Sequence, residues 1–379
     1  MKTHLPKTLM LFAVATLSFR GCPMAIGALA ASETCEGVMN WTEPPPQFRN
    51  ELGTYVSPLQ FGDNQTVHTL SDWNHHRKLI LEYWNRVMGS WPPLLRIPKI
   101  DNLSEEKREG FVQRKVRVQL TETLIDDGYL LVPEGKGPFP AVLVVFYEPE
   151  SSIGKGKNPL LDFGYQLARR GFVTLSIGSP GGDAWKPERA APTCQPLSFL
   201  AYVAANCHTA LAQLPCVDAN RIGIVGHSYG GKWAMFASCL YQKFTCAVWS
   251  DPGIVFDEAR PNVNYWEPWY LGADPRTRRK PGLLTQENSR TGAYKTLIEE
   301  HHDLHELHAL MAPRPFLVSG GSEDSVSRWA VLNHAISVYK ILGYTNRVAM
   351  TNRTGHSPTA DSNQQIYDFF TCWLGPKNK

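Results

Sequence analysis

A serine between two glycines is the residue of this chain whose setting first suggests chemistry. It lies in the segment Gly226-His227-Ser228-Tyr229-Gly230, which has the pattern Gly-x-Ser-x-Gly. The branched apolar residues before this segment predict a short buried strand, and the apolar residues after it predict a helix. A tight strand-to-helix turn of this kind exposes the serine hydroxyl above a sheet. We therefore predict that Ser228 is a nucleophile.

A serine hydroxyl needs a base to take its proton, so a histidine and a carboxylate must accompany it. His356 lies in the loop after the last predicted strand, in "NRTGHSP". Asp324 follows the strand before that one, in "FLVSGGSED", and Asp251 follows the strand directly after the serine helix. Both acids satisfy the chain order serine, acid, histidine. We predict His356 as the base and favour Asp324 as the acid, with Asp251 as the alternative.

Backbone N–H groups are expected to complete this site by holding a developing oxyanion. One donor is the N–H of Tyr229, at the start of the predicted helix. The second comes from the loop after the strand "AVLVVF", near Tyr147. His227 lies within the turn itself, and we predict a structural role for it.

Four further side chains are candidates for substrate binding at the same end of the sheet. Lys232 follows Ser228 by one helical turn and shares its helix face. Trp185 belongs to a neighbouring loop, and Trp266 and Trp269 belong to a long insertion. Flat aromatic faces suit sugar rings, although such rings can also simply pack the insertion against the domain. For Lys232 the alternative role is an ion pair with a carboxylate such as Asp251.

A histidine-rich segment, "HHDLHELH", is the one candidate for metal binding. His301, His305 and His308 have helical spacing, but the order His-Glu-x-x-His is absent. A serine-based hydrolase needs no metal, so we predict none. The segment "IGSPGGD" lacks the lysine of a phosphate-binding loop and the spacing of a dinucleotide fingerprint. We accordingly expect no cofactor.

The elements that must position these residues alternate between strand and helix from about Val116 to the end of the chain. This alternation predicts an α/β fold, with a mostly parallel central sheet and helices on both faces. We assign residues 111–379 to this domain, with residues 251–310 as an insertion over the site. Residues 31–110 are rich in Pro and Trp and predict an extension packed on the main domain. One helix is evident there, capped at Ser71 and ended by Gly89.

The first thirty residues resemble a secretory signal, because lysines precede an apolar run and Ala28-Leu29-Ala30 offers a cleavage site. We expect cleavage after Ala30 and a secreted or periplasmic protein. Loss of Lys2, Lys7 and Arg20 takes the net charge from +3 to zero, which argues against nucleic acid or an anionic membrane as partner. No segment is long and apolar enough to span a membrane. The sequence predicts neither the disulfide pairing nor the oligomeric state.

Two longer segments carry a resemblance to a known group of proteins. "VDANRIGIVGHSYGGK" and "LHALMAPRPFLVSGGSED" are similar to segments around the nucleophile and the acid in the α/β-hydrolase superfamily. Within that superfamily, the chain from about Val116 onward resembles dienelactone hydrolases, acetyl xylan esterases and prolyl-oligopeptidase-like domains. Gly231-Lys232 also resembles the turn of glucuronoyl esterases, in which the lysine contacts the sugar acid. Those enzymes have an arginine where this chain has Tyr229, and they commonly take their acid from the strand after the nucleophile.

The residues and the resemblance together imply a secreted serine hydrolase that cleaves a carboxylic ester through an acyl-enzyme. The expected partner is a small-molecule or carbohydrate ester. Two alternatives stay open: a prolyl-oligopeptidase-like peptidase, and a non-catalytic binding protein on a hydrolase fold.

Overall fold

One large sheet runs through the part of the chain that the computed structural model describes, which is residues 33–61, 65–277 and 279–375. The predicted signal peptide lies outside these residues. The strands are β1 (Gln60–Phe61), β2 (Gln65–Thr66), β3 (Ile100–Arg108), β4 (Phe111–Gln119), β5 (Ile125–Pro133), β6 (Phe139–Val145), β7 (Val173–Ile177), β8 (Val217–His227), β9 (Cys246–Ser250), β10 (Phe316–Gly320) and β11 (Val348–Asn352). β1 and β2 form a separate antiparallel pair. The others lie in the order β11-β10-β9-β8-β6-β7-β5-β4-β3.

The pairing in this sheet confirms the predicted, mostly parallel α/β architecture. The strands from β11 to β7 pair with one another in parallel, whereas β7 with β5, β5 with β4 and β4 with β3 are antiparallel pairs. The carboxyl ends of the parallel strands β6, β8, β9, β10 and β11 therefore meet at one edge of the sheet. Loops at that edge of an open α/β sheet form its ligand site.

Helices cover both faces of the sheet. They are α1 (Glu33–Met39), α2 (Leu70–Met88), α3 (Pro149–Ser152), α4 (Phe163–Ala168), α5 (Pro196–Ala212), α6 (Tyr229–Leu240), α7 (Gly292–Glu299), α8 (His305–Leu310), α9 (Trp329–Ile341) and α10 (Ala360–Leu374). Leu143 and Val145 of β6 point into a core with α5 and α6, and Val142 and Val144 point into a second core with α4 and α10. This alternation is the period of a strand buried on both sides.

The segment 31–110 contains more regular structure than its sequence suggested. Thr69, rather than Ser71, caps α2: its hydroxyl accepts from the N–H of Asp72, whose carboxylate accepts from the N–H of Thr69. The same segment also supplies β3, which pairs with β4 alone at the edge of the sheet. An edge strand exposed to water has no need of apolar alternation, so its polar sequence gave no strand signal.

A disulfide joins the first and last helices of the described chain. Cys35 of α1 is bonded to Cys372 of α10, with 4.9 Å between their Cα atoms. The five other cysteines in the described residues are free thiols, namely Cys194, Cys207, Cys216, Cys239 and Cys246. No helix in the described ranges has the length and apolar character needed to cross a bilayer.

Candidate active site

The turn between β8 and α6 holds Ser228 in a strained backbone conformation. Its φ is 54° and its ψ is −112°, which is outside the regions that residues with a side chain favour. A Cβ on Gly226 would collide with the backbone of Gly230, and a Cβ on Gly230 would collide with the carbonyl of Val145 on β6. The two glycines are therefore required for the close approach of α6 to the sheet. Strain of this kind is characteristic of a nucleophile turn.

Ser228, His356 and Asp251 form a continuous series of hydrogen bonds. The Oγ atom of Ser228 lies 2.9 Å from Nε2 of His356, and Nδ1 of His356 lies 2.7 Å from Oδ2 of Asp251. A carboxylate only accepts hydrogen bonds, so Nδ1 carries the proton and Nε2 accepts from the serine hydroxyl. His356 is partly exposed and Asp251 is fully buried. This is the arrangement in which an imidazole can take the proton of a serine.

The surroundings of Asp251 keep its carboxylate ionised despite its burial. Burial by itself raises the pKa, but hydrogen bonds from His356 and from the N–H of Asp324, together with the charge of Arg353, lower the pKa of Asp251 below its usual value. The N–H of Gly321 donates at 2.6 Å and that of Asp324 at 2.9 Å.

Asp324, the acid that the sequence favoured, does not make the contact with His356. Its carboxylate accepts hydrogen bonds from the N–H groups of Gly253 (2.8 Å) and Ile254 (2.6 Å). Burial and the neighbouring charge of Asp251 raise the pKa of Asp324 to about 6. Asp251 directly follows β9, the strand next to β8, whereas Asp324 lies beyond the end of β10 on a turn that directs it towards residues 253–254. Of the two acids that the sequence offered, Asp251 is therefore the one whose carboxylate contacts His356, and its role as the catalytic acid stays a prediction.

The residues expected to supply oxyanion donors lie next to each other. Tyr229 is the first residue of α6, where N–H groups have no partner within the helix. Tyr147 follows β6, and its ring stacks on that of Tyr229 with 4.6 Å between centroids. Their assignment as donors stays a prediction.

The three predicted substrate-binding tryptophans have different surroundings. Trp185 is 56% exposed, and one face of its indole stacks on Tyr147 at 5.1 Å. Trp269 is half-buried, and both residues line a groove of about 970 Å³. Trp266 is only 1% exposed, and its indole N–H donates to the carbonyl of Gly282. Trp266 therefore packs the insertion, whereas Trp185 presents an open aromatic face.

Lys232 is buried rather than open to a ligand. It is 2% exposed, and its Nζ donates to the carbonyls of Pro252 (2.7 Å) and Asn262 (3.1 Å). Burial lowers the pKa of Lys232 to about 8, although the charges of nearby carboxylates act to raise it. These contacts tie α6 to the loop after Asp251. They match neither the sugar contact nor the direct ion pair that the sequence suggested.

Of the remaining histidines of the sequence analysis, His227, His305 and His308 are buried, whereas His301 is exposed. His227 is buried, its Nδ1 lies 3.1 Å from the hydroxyl of Ser250, and burial lowers its pKa to about 3. His305 contacts the carbonyl of Val56 through Nε2, and His308 is fully buried. Within residues 33–61, 65–277 and 279–375, no group of three or more His, Cys, Asp or Glu is arranged to hold a metal ion.

Comparison with known proteins agrees with this architecture. A sequence model of the prolyl oligopeptidase family matches residues 204–376. No curated protein matches the chain. Among solved structures, the chain is similar to a glucuronoyl esterase from Solibacter usitatus, with 17% identity, a TM-score of 0.68, and coverage of 86% of this chain and 100% of that one. The chain has the α/β-hydrolase fold.

Two further structures extend the likeness. A glucuronoyl esterase of family CE15 from Teredinibacter turnerae has 17% identity and a TM-score of 0.62, with 85% of this chain and 90% of that one covered. A putative acetyl xylan esterase from Bacteroides fragilis has 16% identity and a TM-score of 0.53, with 81% and 80% covered. Identities this low establish the fold and leave the reaction to be inferred from the site.

One residue of this α/β-hydrolase site was missed in the sequence. Arg353 lies in the loop that carries His356, and its guanidinium donates to the carbonyls of His356 and Ser357. The available signal was its position three residues before the histidine. An arginine in a polar loop is usually solvated, so the position alone gave no reason to single it out.

Proposed function

We propose that the protein is a secreted serine esterase that cleaves a carboxylic ester of a carbohydrate. The observation that carries the proposal is the hydrogen-bonded series of Ser228, His356 and Asp251, at 2.9 and 2.7 Å. It lies at the carboxyl ends of β8, β9 and β11, where an α/β sheet presents its ligand site.

In this proposal, Ser228 Oγ attacks the ester carbonyl while Nε2 of His356 takes the hydroxyl proton. Asp251 holds the imidazole by Nδ1 and stabilises the imidazolium. The N–H groups of Tyr229 and Tyr147 donate to the carbonyl oxygen as it becomes negative. His356 then gives the proton to the departing alcohol, and an acyl-enzyme remains. Water attacks this ester with His356 again as the base, which releases the acid and restores Ser228.

The groove beside Trp185 and Trp269 supports a carbohydrate as part of the substrate. The open indole face of Trp185 can stack on a sugar ring, and Tyr147 fixes the orientation of that face. The printed names of the similar structures, glucuronoyl and acetyl xylan esterases, support the same class. Because the Lys232 ammonium already has two carbonyl partners, the proposal does not require a uronic acid in the substrate.

A peptidase is the second candidate, and it is supported by the prolyl oligopeptidase family model that matches residues 204–376. The same nucleophile and base serve amide and ester cleavage, so the geometry of the site does not separate the two reactions.

Secretion is supported by the disulfide between Cys35 and Cys372, because such bonds persist mainly in oxidising compartments. Sequencing the N-terminus of the exported protein tests this part of the proposal. A chain that begins at Ala31 supports it, and an intact signal segment argues against it.

The reaction is tested by a substrate panel that contains acetylated sugars, uronate methyl esters, short-chain aryl esters and aminoacyl amides. We expect the highest kcat/KM on a carbohydrate ester. Ser228→Ala should lower turnover of every cleaved substrate by about 10⁴-fold or more while the protein stays folded. Preference for the amides would favour the peptidase, and no turnover of any substrate would favour a binding protein.

A further inference from the structure

Arg353 binds the loop that carries the candidate base. It lies directly after β11, and its side chain is half-buried. Nη2 donates to the carbonyl of His356 at 2.6 Å, and Nε donates to the carbonyl of Ser357 at 2.9 Å. The loop residues 353–359 form no helix or strand, so these two bonds fix backbone that regular structure does not hold.

The other side of the same guanidinium binds the ends of two strands. Nη1 donates to the carbonyl of Ser319 at 2.8 Å and lies 3.3 Å from the carbonyl of Gly320, both at the end of β10. Nη2 also lies 3.4 Å from the hydroxyl of Ser250, the last residue of β9. Ser250 directly precedes Asp251. One side chain therefore connects the segment that carries the base with the end of β9, which Asp251 follows, and with the end of β10, the strand next to it.

The charge of Arg353 also acts on the acid. Asp251 and Asp324 are both fully buried, and the backbone N–H of Asp324 donates to the carboxylate of Asp251. Two like charges this close oppose each other's ionisation. The charge of Arg353 lowers the pKa of Asp251 and so offsets this repulsion. Other titratable or charged groups that face this cluster are His227, Lys232, Tyr265, Glu323, Arg328 and His356.

We propose that Arg353 is a positioning residue that holds His356 between Ser228 and Asp251 and keeps Asp251 ionised. The inference rests on the proposed function, because it concerns the same reaction. Lysine would keep the charge but has no planar fork of N–H donors to reach three segments at once. The two parts of the role, geometry and charge, can therefore be separated by substitution.

The test measures how fast a fluorophosphonate reacts with the protein from about pH 3.5 to pH 8, a range that reaches the pH at which a carboxyl group takes up its proton. In that reaction the Ser228 Oγ–P bond forms, the P–F bond breaks, fluoride leaves, and the serine proton passes to His356. Arg353→Met should react about 100-fold more slowly than the wild type at pH 8, because displacing a catalytic group by about 1 Å has this effect. The ratio of the wild-type rate to the Arg353→Met rate should grow below about pH 5, since removing the cation raises the pKa of Asp251, which in the wild type lies below the usual value of a carboxyl group.

Two further variants make the result decisive. Arg353→Lys should still react with the fluorophosphonate at least about 10-fold more slowly than the wild type. The ratio of the two rates should stay nearly constant with pH, because lysine retains the charge. Arg347→Met is the matched control: Arg347 is also half-buried but precedes β11 at its other end, where it donates to the carbonyl of Pro313. Its reaction rate should equal that of the wild type.

The inference is overturned if folded Arg353→Met reacts at the wild-type rate, or if its loss is the same at every pH. If Arg353→Met does not fold, a wild-type rate for Arg353→Lys overturns it instead. A wild-type protein that does not react at all contradicts the proposed function and not the role of Arg353 within it.

Discussion

Asp251 and Asp324 differ in what their carboxylates bind, and this difference determines how each should respond to substitution. Asp251→Asn removes the acceptor that sets the tautomer of His356, so kcat should fall by about 10³- to 10⁴-fold. Asp324→Asn changes a group that holds backbone N–H groups of residues 253–254, so kcat should fall by no more than about 10-fold and thermal stability should fall. Steady-state kinetics and thermal unfolding of both variants check this.

A larger kinetic loss in Asp324→Asn than in Asp251→Asn would contradict this assignment of the acid. The control is the ordinary wild-type unfolding curve, since both substitutions preserve shape and remove one negative charge. We expect Asp324→Asn to lower kcat and thermal stability together. Asp251→Asn should lower kcat much more than it lowers thermal stability.

The sequence predicted that Ser228 and His356 lie together, because each position depends on local order along the chain. The glycine pattern marks Ser228, and the loop after the last strand marks His356. The acid depends on which of two neighbouring strand ends reaches the imidazole, and sequence order does not distinguish them. Lys232 was predicted on the correct helix face, but its burial depends on the loop that folds over it.

At the element scale, the loop after β7 carries the exposed aromatic face beside the site. Trp185→Ala should raise KM for a carbohydrate ester by about 3- to 10-fold, because an aromatic stacking contact contributes about 0.5–1.5 kcal/mol. KM for a small aryl ester should change little, since such a substrate does not reach the groove. Michaelis–Menten kinetics on both substrates check this prediction.

Ile97→Ala is a suitable control for that measurement, because Ile97 is 75% exposed and is not among the residues that line the groove. It should leave both KM values unchanged. Equal losses on both esters in Trp185→Ala would argue against a carbohydrate-binding groove and leave a general esterase.

Burial determined which strands could be predicted from the sequence. The buried strands β6, β8 and β10 were evident because continuous apolar runs mark strands that are covered on both faces. β3 was missed because an exposed edge strand needs no such run. A pattern that depends on burial cannot mark an element that is not buried.

In the described chain as a whole, a disulfide joins two distant segments, and no local sequence pattern indicated this pairing. Cys35 and Cys372 are separated by 337 residues in sequence, and they meet because α1 and α10 pack together on the same face of the sheet. The sheet order likewise brings β8, β9, β10 and β11 together, although their sequences are far apart. The α/β class followed from the alternation of elements, whereas the disulfide required the packed structure.

The proposed reaction depends on Ser228 as a nucleophile that His356 and Asp251 activate. The most direct measurement is to treat the wild-type protein with a fluorophosphonate and to locate the adduct by peptide mass spectrometry. We expect a single stoichiometric adduct on Ser228, and none on folded Ser228→Ala. An adduct on another residue would contradict the role of Ser228. So would full ester hydrolysis by treated protein that carries no adduct.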